Sequence, residues 1–245
     1  MPLDEAELEY FNRGKTENPR FWDRLGGEPS FEDIKILDLG CGHGSLCVYM
    51  ASKGAKHVIG IDINKELINF ARENVSKNFP HLEDGITFLC CEVSELPENE
   101  FDIIVSKDTF EHIIDLDKVL DEMKTRLKKG GRIYVGFGPL YNSPHGDHGR
   151  AKAVIPWGHI IFPESILIKR LNKKSQKKIT SIQDLGLNKL SLAEYLRIFN
   201  QSDLSIIFLR VNASSKTSSK LFSQIRRIPF LEEYFSHNIY CVLER

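Results

Sequence analysis

The stretch "KILDLGCGHGSLCVYMASKGAKHVIGIDIN" at residues 35–64 decides the fold class. A short apolar run leads into three closely spaced glycines, Gly40, Gly42 and Gly44, and a second apolar run leads to Asp62. Glycine lets the backbone take a positive φ and lets another molecule approach closely. The pattern therefore predicts a buried strand, a turn that faces a ligand, a helix, and a second strand that ends in an acid.

Strand-like and helix-like segments alternate through the rest of the chain. Because strands joined by helices form right-handed crossovers, the order predicts an α/β fold with a mostly parallel sheet, which binds ligands at the carboxyl ends of its strands. The two late strands, joined by a helical insert, add an antiparallel edge. The predicted strands are 35–39, 57–63, 86–93, 101–108, 132–138, 204–211 and 238–244, and the predicted helices are 44–54, 64–78, 116–131, 191–200 and 218–227.

Composition narrows the class of protein. The chain has 245 residues, of which 41% are hydrophobic and 27% charged, and this composition is ordinary for a globular domain. Its formal net charge of -1 gives no reason to expect a nucleic-acid or membrane partner. No apolar run is long enough for a membrane span, and the acidic start "MPLDEAELEYF" does not resemble a secretory signal. The five cysteines, an odd number without a CxxC pair, are expected to be reduced thiols in a cytoplasmic protein.

The glycine spacing distinguishes between ligand classes. A dinucleotide loop has the pattern G-x-G-x-x-G, but Ser45 stands at its third position, and no Gly-Lys-Ser/Thr follows as in a P-loop. The pattern present is Asp38-x-Gly40-x-Gly42-x-Gly44. In this motif the chain resembles the class I S-adenosylmethionine-dependent methyltransferases, and the resemblance is strong over 31–139 and looser beyond.

The resemblance implies a doubly wound, seven-stranded sheet with an antiparallel last strand, and S-adenosyl-L-methionine as cofactor, with S-adenosyl-L-homocysteine as product. An acid at the first turn suits the ammonium group of this cofactor, and an acid that ends the second strand suits its ribose diol. In the family, the third-strand segment contacts the adenine and the fourth flanks the methionine part. The predicted cofactor residues are Asp38, Gly40, Cys41, Gly42, Gly44, Asp62, Ile63, Glu92, Val93, Ser106 and Lys107.

The predicted organisation has four parts: a helical N-terminal segment 1–30, the cofactor-binding core 31–139, a substrate lid or insertion 140–180, and a C-terminal part of the same sheet domain, 181–245. The lid is predicted because a long loop rich in proline, glycine and histidine follows the fifth strand. Tyr141, Trp157 and Phe162 offer apolar surface there, and His159 is a further candidate for contact with the substrate.

The histidines allow three interpretations. A neutral imidazole can act as general base, and the candidates are His145, His148 and His112. A metal site built from His145, Asp147 and His148, with or without His159, is a second interpretation. Plain hydrogen bonding within the loop is the third. The prediction adopted from the sequence contains no metal.

The predicted function is methyl transfer to a small-molecule acceptor with an O, N or C nucleophile. One alternative is a protein or RNA methyltransferase that docks its substrate on the basic run 169–178. Another is a nicotinamide-dependent oxidoreductase, against which Ser45 argues, and a third is a binding protein that keeps the cofactor site without turnover. The acceptor, the methylated atom and the oligomeric state are not readable from the sequence.

Overall fold

The computed structural model describes residues 3–153, 155–173, 178–213 and 217–245, with the backbone alone for 217–219. The seven strands are β1 Lys35–Leu39, β2 His57–Ile61, β3 Ile86–Leu89, β4 Phe101–Lys107, β5 Leu127–Phe137, β6 Ser205–Val211 and β7 Ile239–Glu244. The α-helices are α1 Glu5–Arg24, α2 Ser45–Ser52, α3 Lys65–Asn78, α4 Leu116–Arg126, α5 Gly158–Ile161, α6 Glu164–Asn172, α7 Leu192–Gln201 and α8 Thr217–Ile225.

All seven strands form one sheet in the order β3-β2-β1-β4-β5-β7-β6. Strands β1 to β5 pair in parallel, and β7 runs antiparallel to both β5 and β6. This confirms the predicted seven-stranded, mostly parallel, doubly wound sheet with an antiparallel last strand. The strand order reverses between the neighbours β1 and β4, so the loops after these two strands lie at the switch point where such sheets bind ligands.

Two predicted boundaries are wrong in the core. The third strand ends at Leu89 and not at residue 93, so Cys90 is exposed and does not lie in a buried strand. The helix predicted to reach residue 131 ends at Arg126, because the buried Leu127 pairs opposite Phe101 and starts β5. Apolar residues continue past both ends, at Cys90, Cys91 and Leu127, and only strand pairing decides where each element ends.

The N-terminal segment contains one long helix that packs on the sheet. In α1, Phe21 and Trp22 are buried, and the Trp22 ring lies edge-on to Tyr134 of β5 at 5.4 Å between centroids. Asp4 caps the helix through hydrogen bonds from the backbone N–H groups of residues 6 and 7. Burial of these aromatic rings fixes α1 beside the sheet, close to the glycine loop.

The segment after β5 begins as irregular chain and continues into α5 and α6. It has a small apolar cluster of its own, formed by Ala151, Leu167, Ile182 and Leu187. The basic run 169–178 starts in α6, and its residues 174–177 lie outside the described ranges. Among the helices that the structure describes, none combines the length and the apolar character required to cross a bilayer.

Candidate active site

The glycine loop lies between β1 and α2 at the switch point. Gly44 has φ +77° and precedes the first turn of α2, and a Cβ there would lie 2.6 Å from the Phe88 ring of β3. Gly40 also has φ +77°, and its Cβ would lie 2.3 Å from Thr109 Oγ1 in the loop after β4. Both positions therefore require glycine for packing as well as for backbone conformation. Gly40, Cys41 and Gly42 line the cavity described below, whereas Gly44 packs behind it.

Asp62, directly after β2, ties that strand to the glycine loop. Its Oδ2 accepts a hydrogen bond from the backbone N–H of Gly42 at 3.0 Å, and its Oδ1 accepts one from the N–H of Asn64 at 2.8 Å. The side chain of Asn64 in turn caps α3 through the N–H groups of Glu66 and Leu67. The carboxylate is thereby held at the cavity wall with lone pairs left for a diol. Ile63 follows it with 78% of its surface exposed.

Asp38, inside β1, faces the cavity although it is almost fully buried. The thiol of Cys47 donates to its Oδ2 at 3.2 Å, and burial raises the pKa of Asp38 to about 7. A buried carboxylate beside an open cavity is stabilised by a cation such as an ammonium group. The residues at this end therefore fit a ligand that carries an amino group and a diol, as S-adenosylmethionine does.

The next two strands supply the rest of the predicted cofactor wall. After β3, the exposed Glu92 and the buried Val93 line the cavity at a short 3-10 helix. Lys107, at the end of β4, also lines it and forms an ion pair with Asp108 at 3.1 Å. Ser106 is buried, and its hydroxyl donates to the carbonyl of Leu39 at 3.0 Å. The structure places Ser106 between two strands and off the cavity wall, because alternate residues of a strand face opposite sides.

These residues surround one cavity of about 740 Å³ at the carboxyl edge of the sheet. Its wall also contains residues that are absent from the sequence-based set, among them Tyr10, Asp108, Thr109 and Arg150. Asp108 and Thr109 follow β4 directly, so their position at the carboxyl end of a strand could have predicted that they line the cavity. Tyr10 and Arg150 reach the cavity only because distant segments fold over it.

His112 lies in the cavity wall at the end opposite Asp62. Its Nδ1 donates to the carbonyl of Gly186 at 2.7 Å, which leaves the lone pair on Nε2. The rings of His112 and His148 lie 5.1 Å apart, and the Nε2 of His148 donates to the carbonyl of Pro139 at 3.0 Å. Burial lowers the pKa of both imidazoles, so both are neutral at pH 7.

The residues of the alternative metal interpretation do not converge in the structure. His145 is exposed and His148 turns toward His112, while Asp147 and His159 form a separate buried pair with 3.9 Å between Oδ1 and Nδ1. The left-handed backbone of His145 and His148, with φ near +58° and +52°, lets successive side chains point in different directions. Sequence proximity therefore did not predict which of these groups meet.

The predicted substrate residues also lie off the cavity wall. Tyr141 is half-buried, and its carbonyl accepts a hydrogen bond from the buried His159. The indole N–H of Trp157 donates to the carbonyl of Tyr234 at 3.1 Å, and its ring packs at a tilt against Phe235, with 5.2 Å between the centroids. Tyr141, Trp157 and His159 thus support the insertion and its contact with the C-terminal segment. The insertion reaches the cavity through Arg150 instead.

Comparison with known proteins identifies the domain. The model of a family described as "Methyltransferase domain" matches residues 30–139. This range holds the glycine loop, Asp62 and the loop after β4.

Two curated relatives match part of the chain. Phosphoethanolamine N-methyltransferase 1 of Arabidopsis thaliana is 37% identical over 101 residues, which cover 41% of this chain and 20% of that protein. Ubiquinone biosynthesis O-methyltransferase of a Chelativorans species is 36% identical over 109 residues, which cover 43% of this chain and 40% of that protein. The chain therefore spans about a fifth of the first relative and two fifths of the second.

A solved structure extends the likeness to nearly the whole chain. An S-adenosylmethionine-dependent methyltransferase from Mesorhizobium loti superposes with a TM-score of 0.60 at 18% identity, covering 94% of this chain and 97% of that one. At this identity the likeness concerns the fold. Residues 30–139 therefore belong to the methyltransferase-domain family, and the chain as a whole has the fold of the class I S-adenosylmethionine-dependent methyltransferases.

Proposed function

We propose that this chain transfers a methyl group from S-adenosyl-L-methionine to a small-molecule acceptor. The observation that carries the proposal is the single cavity of about 740 Å³, which joins the glycine loop and Asp62 at one end to His112 and Arg150 at the other. Both reactants would lie in one cavity, and alignment of two bound reactants supplies most of the rate in such a transfer. The two curated relatives, by their names, act on phosphoethanolamine and in ubiquinone biosynthesis, which supports a small acceptor.

In the proposed complex, Asp38 faces the cofactor's ammonium group and Asp62 its ribose hydroxyls, while Glu92 and Val93 border the adenine. The cofactor supplies an electrophilic methyl carbon, which an acceptor lone pair attacks as the carbon–sulfur bond breaks and its electrons return to sulfur. The loop residues Gly40 and Gly42 offer close backbone approach at the cavity wall.

The acceptor would lie between the cofactor and His112. The Nδ1–H bond to Gly186 leaves the lone pair of this imidazole on Nε2, which lies 3.5 Å from Nη2 of Arg150. A neutral imidazole in this place can accept the proton of an attacking hydroxyl or amine. His148 lies behind His112 and supports its ring, whereas the exposed His145 is not placed to act on a reactant in the cavity.

Calorimetric titration with S-adenosyl-L-homocysteine tests the cofactor part, with NADH as control ligand. The proposal expects micromolar binding of the first, roughly -8 kcal/mol, and none of the second. Binding of NADH alone would contradict the proposal and turn the glycine loop into a variant dinucleotide site.

Labelled S-adenosylmethionine incubated with a cell extract tests the acceptor part. Label that accumulates in small metabolites is the expected result. Label in protein or RNA would instead favour docking on the basic run 169–178, and cofactor binding without any transfer would favour a binding protein.

A further inference from the structure

The acceptor end of the cavity carries a guanidinium group that forms no ion pair with a carboxylate. Arg150, from the segment after β5, is exposed and lines the cavity together with His112. Among the described residues, no Asp or Glu side chain forms an ion pair with it, whereas Lys107 in the same wall is paired with Asp108 at 3.1 Å. A cation without a counter-charge in a ligand cavity indicates a ligand with negative charge.

The carbonyl of Gly186 positions Arg150 and His112 together. It accepts hydrogen bonds from Nη1 of Arg150 at 3.0 Å and from Nδ1 of His112 at 2.7 Å. The carbonyl of Leu185 accepts a second hydrogen bond from the same Nη1 at 2.7 Å. One end of the guanidinium is thereby fixed to the chain, and its place beside the imidazole is set before an acceptor binds.

The opposite edge of the guanidinium keeps its donors for a ligand. A guanidinium has five N–H donors, and the two on Nη1 are used by the carbonyls of Leu185 and Gly186. Within the described ranges, Nε–H of Arg150 donates to no protein acceptor, and Nη2 lies 3.5 Å from Nε2 of His112, which is too long for a strong hydrogen bond. The Nε–Nη2 edge matches two oxygens of a carboxylate or a phosphate in a bidentate contact.

The neighbouring titratable groups leave this positive charge in place at pH 7. Burial lowers the pKa of both His112 and His148, so their rings are neutral. Glu111 is only 4% exposed, and burial raises the pKa of its carboxyl to about 8, so its protonated, neutral form dominates at pH 7. Asp108 is already paired with Lys107. The acceptor end therefore retains the charge of the guanidinium.

Resting on the function proposed above, we propose that the acceptor carries a carboxylate or phosphate group and that Arg150 binds this group beside the nucleophile that His112 deprotonates. Nη2 of Arg150 and Nε2 of His112 are 3.5 Å apart. One small acceptor reaches both when its anionic group and its nucleophilic atom are close together in its structure. Arg150 thereby selects small anionic hydroxyl or amine compounds from the acceptors that the cavity could hold.

The anionic group also offsets the charge that develops during the reaction. The acceptor's proton moves to Nε2 of His112, the acceptor's lone pair forms the bond to the methyl carbon, and the carbon–sulfur bond breaks toward sulfur. The imidazole becomes an imidazolium 3.5 Å from the guanidinium, and two like charges at this distance oppose the proton transfer. A carboxylate or phosphate bound to Arg150 removes this opposition, so His112 acts as a base most effectively with an anionic acceptor.

Calorimetric titration of the full chain loaded with S-adenosylhomocysteine tests the site, with inorganic phosphate and acetate as the two probes. At least one probe is expected to bind at millimolar concentration. Arg150→Gln is expected to weaken that binding by about tenfold or more, because it removes charge-assisted hydrogen bonds. Lys152→Gln is the matched control: it changes an exposed lysine of the same segment that lies outside the cavity wall, and it should bind the probe like the wild type.

The affinity of each variant for S-adenosylhomocysteine and its thermal unfolding report whether it is folded. Arg150→Lys, which keeps the charge but not the bidentate edge, replaces Arg150→Gln if the latter unfolds, and it should also bind the probe more weakly than the wild type. An equal loss of S-adenosylhomocysteine affinity in folded Arg150→Gln would assign Arg150 to the carboxylate of the cofactor and overturn the proposal.

Wild-type protein that binds S-adenosylhomocysteine but neither probe would overturn the anion site and leave the proposed function standing. Probe binding that depends on Arg150, in protein that does not bind S-adenosylhomocysteine, would support the anion site and count against the proposed function. Probe binding that survives Arg150→Gln or is lost in Lys152→Gln would place the anion elsewhere and overturn the proposal.

The methylated product distinguishes the two kinds of anion. Label that the wild type transfers from S-adenosylmethionine to small metabolites is expected to be retained by an anion exchanger at alkaline pH, and Arg150→Gln should form less of this product. Label released by a phosphatase would identify a phosphate ester as the acceptor, and label that stays bound would identify a carboxylate. Label that is never retained would contradict an anionic acceptor, although methyl transfer to a small molecule would stand.

Discussion

Asp62 and Gly42 are joined by a hydrogen bond of 3.0 Å from the backbone N–H of Gly42 to Asp62 Oδ2. The bond connects the loop after β1 to the end of the neighbouring strand β2. A single carboxylate thus shapes the glycine loop and remains at the cavity wall for a ligand. Loss of the carboxylate is therefore expected to act on cofactor binding in two ways.

Asp62→Ala is expected to weaken binding of S-adenosylhomocysteine by about 10- to 100-fold, because hydrogen bonds to a charged group contribute about 1.5–3 kcal/mol each. Calorimetry with the folded variant measures the effect. Asp62→Asn keeps one oxygen acceptor, so its affinity for S-adenosylhomocysteine should lie between those of the wild type and Asp62→Ala. An unchanged affinity in folded Asp62→Ala would remove Asp62 from the cofactor site.

Cofactor affinity is expected to rise as the pH increases from 6 to 8. Burial raises the pKa of Asp38 from 3.8 to about 7, so the carboxylate ionises over this range and then attracts the cofactor's ammonium group. Titration with S-adenosylhomocysteine at several pH values measures this slope. In Asp38→Asn the affinity should no longer change with pH. A change that persists in this variant would show that another group causes the pH dependence.

The stability of the free protein should change in the opposite direction. An acid whose pKa is raised by folding favours the folded state below its unfolded pKa, and this contribution declines as the pH rises from about 4 to about 7. The free energy of unfolding, measured in urea, should therefore fall less steeply in Asp38→Asn than in the wild type. Parallel curves would contradict the buried, protonated state of Asp38.

Gly44 and Gly130 allow packing to be separated from backbone strain. Their φ values are +77° and +76°, but a Cβ at Gly44 would lie 2.6 Å from Phe88, whereas nothing lies within 4 Å of one at Gly130. Alanine in a left-handed conformation costs about 1–2 kcal/mol, and overpacking adds about 1–3 kcal/mol. Gly44→Ala should thus lose more unfolding free energy than Gly130→Ala in urea denaturation. Equal losses would contradict the close packing of α2 on β3.

Asn188 holds the loop that presents His112. Its amide donates to the carbonyls of Phe110 at 2.7 Å and Ile113 at 3.0 Å, and its Oδ1 accepts the Tyr195 hydroxyl at 2.9 Å. Asn188→Ala should cost about 2–4 kcal/mol of stability, since buried carbonyls lose their donors. It should also lower kcat for methyl transfer far more than it lowers affinity for S-adenosylhomocysteine.

Tyr195→Phe is the milder control, because it removes one hydroxyl and leaves both carbonyls satisfied. If the cofactor affinity and the kcat of Asn188→Ala fell by the same factor, we would conclude that the loop shapes the cofactor site as well as the acceptor end of the cavity. Urea denaturation and steady-state kinetics with an identified acceptor distinguish these results.

Local patterns in the sequence determined the strand and helix types, the glycine turn and the acids at the ends of β1 and β2. These features depend on residues close together in the chain: hydrophobic periodicity, the cap at Asn64, and the spacing from Asp38 to Gly44. The fold class followed because a strand–helix alternation of this length has few right-handed solutions.

Only the tertiary structure determined which residues form the acceptor end of the cavity. Arg150 and His148 reach His112 across about 40 residues of chain, and Trp157 faces the C-terminal segment, because the insertion has no periodic pattern that fixes side-chain direction. The placement of Ser106 off the cavity wall depended on which face of β4 turns inward. Side chains in irregular segments take their directions from long-range packing and hydrogen bonds to distant carbonyls, and these contacts exist only once the sheet has formed.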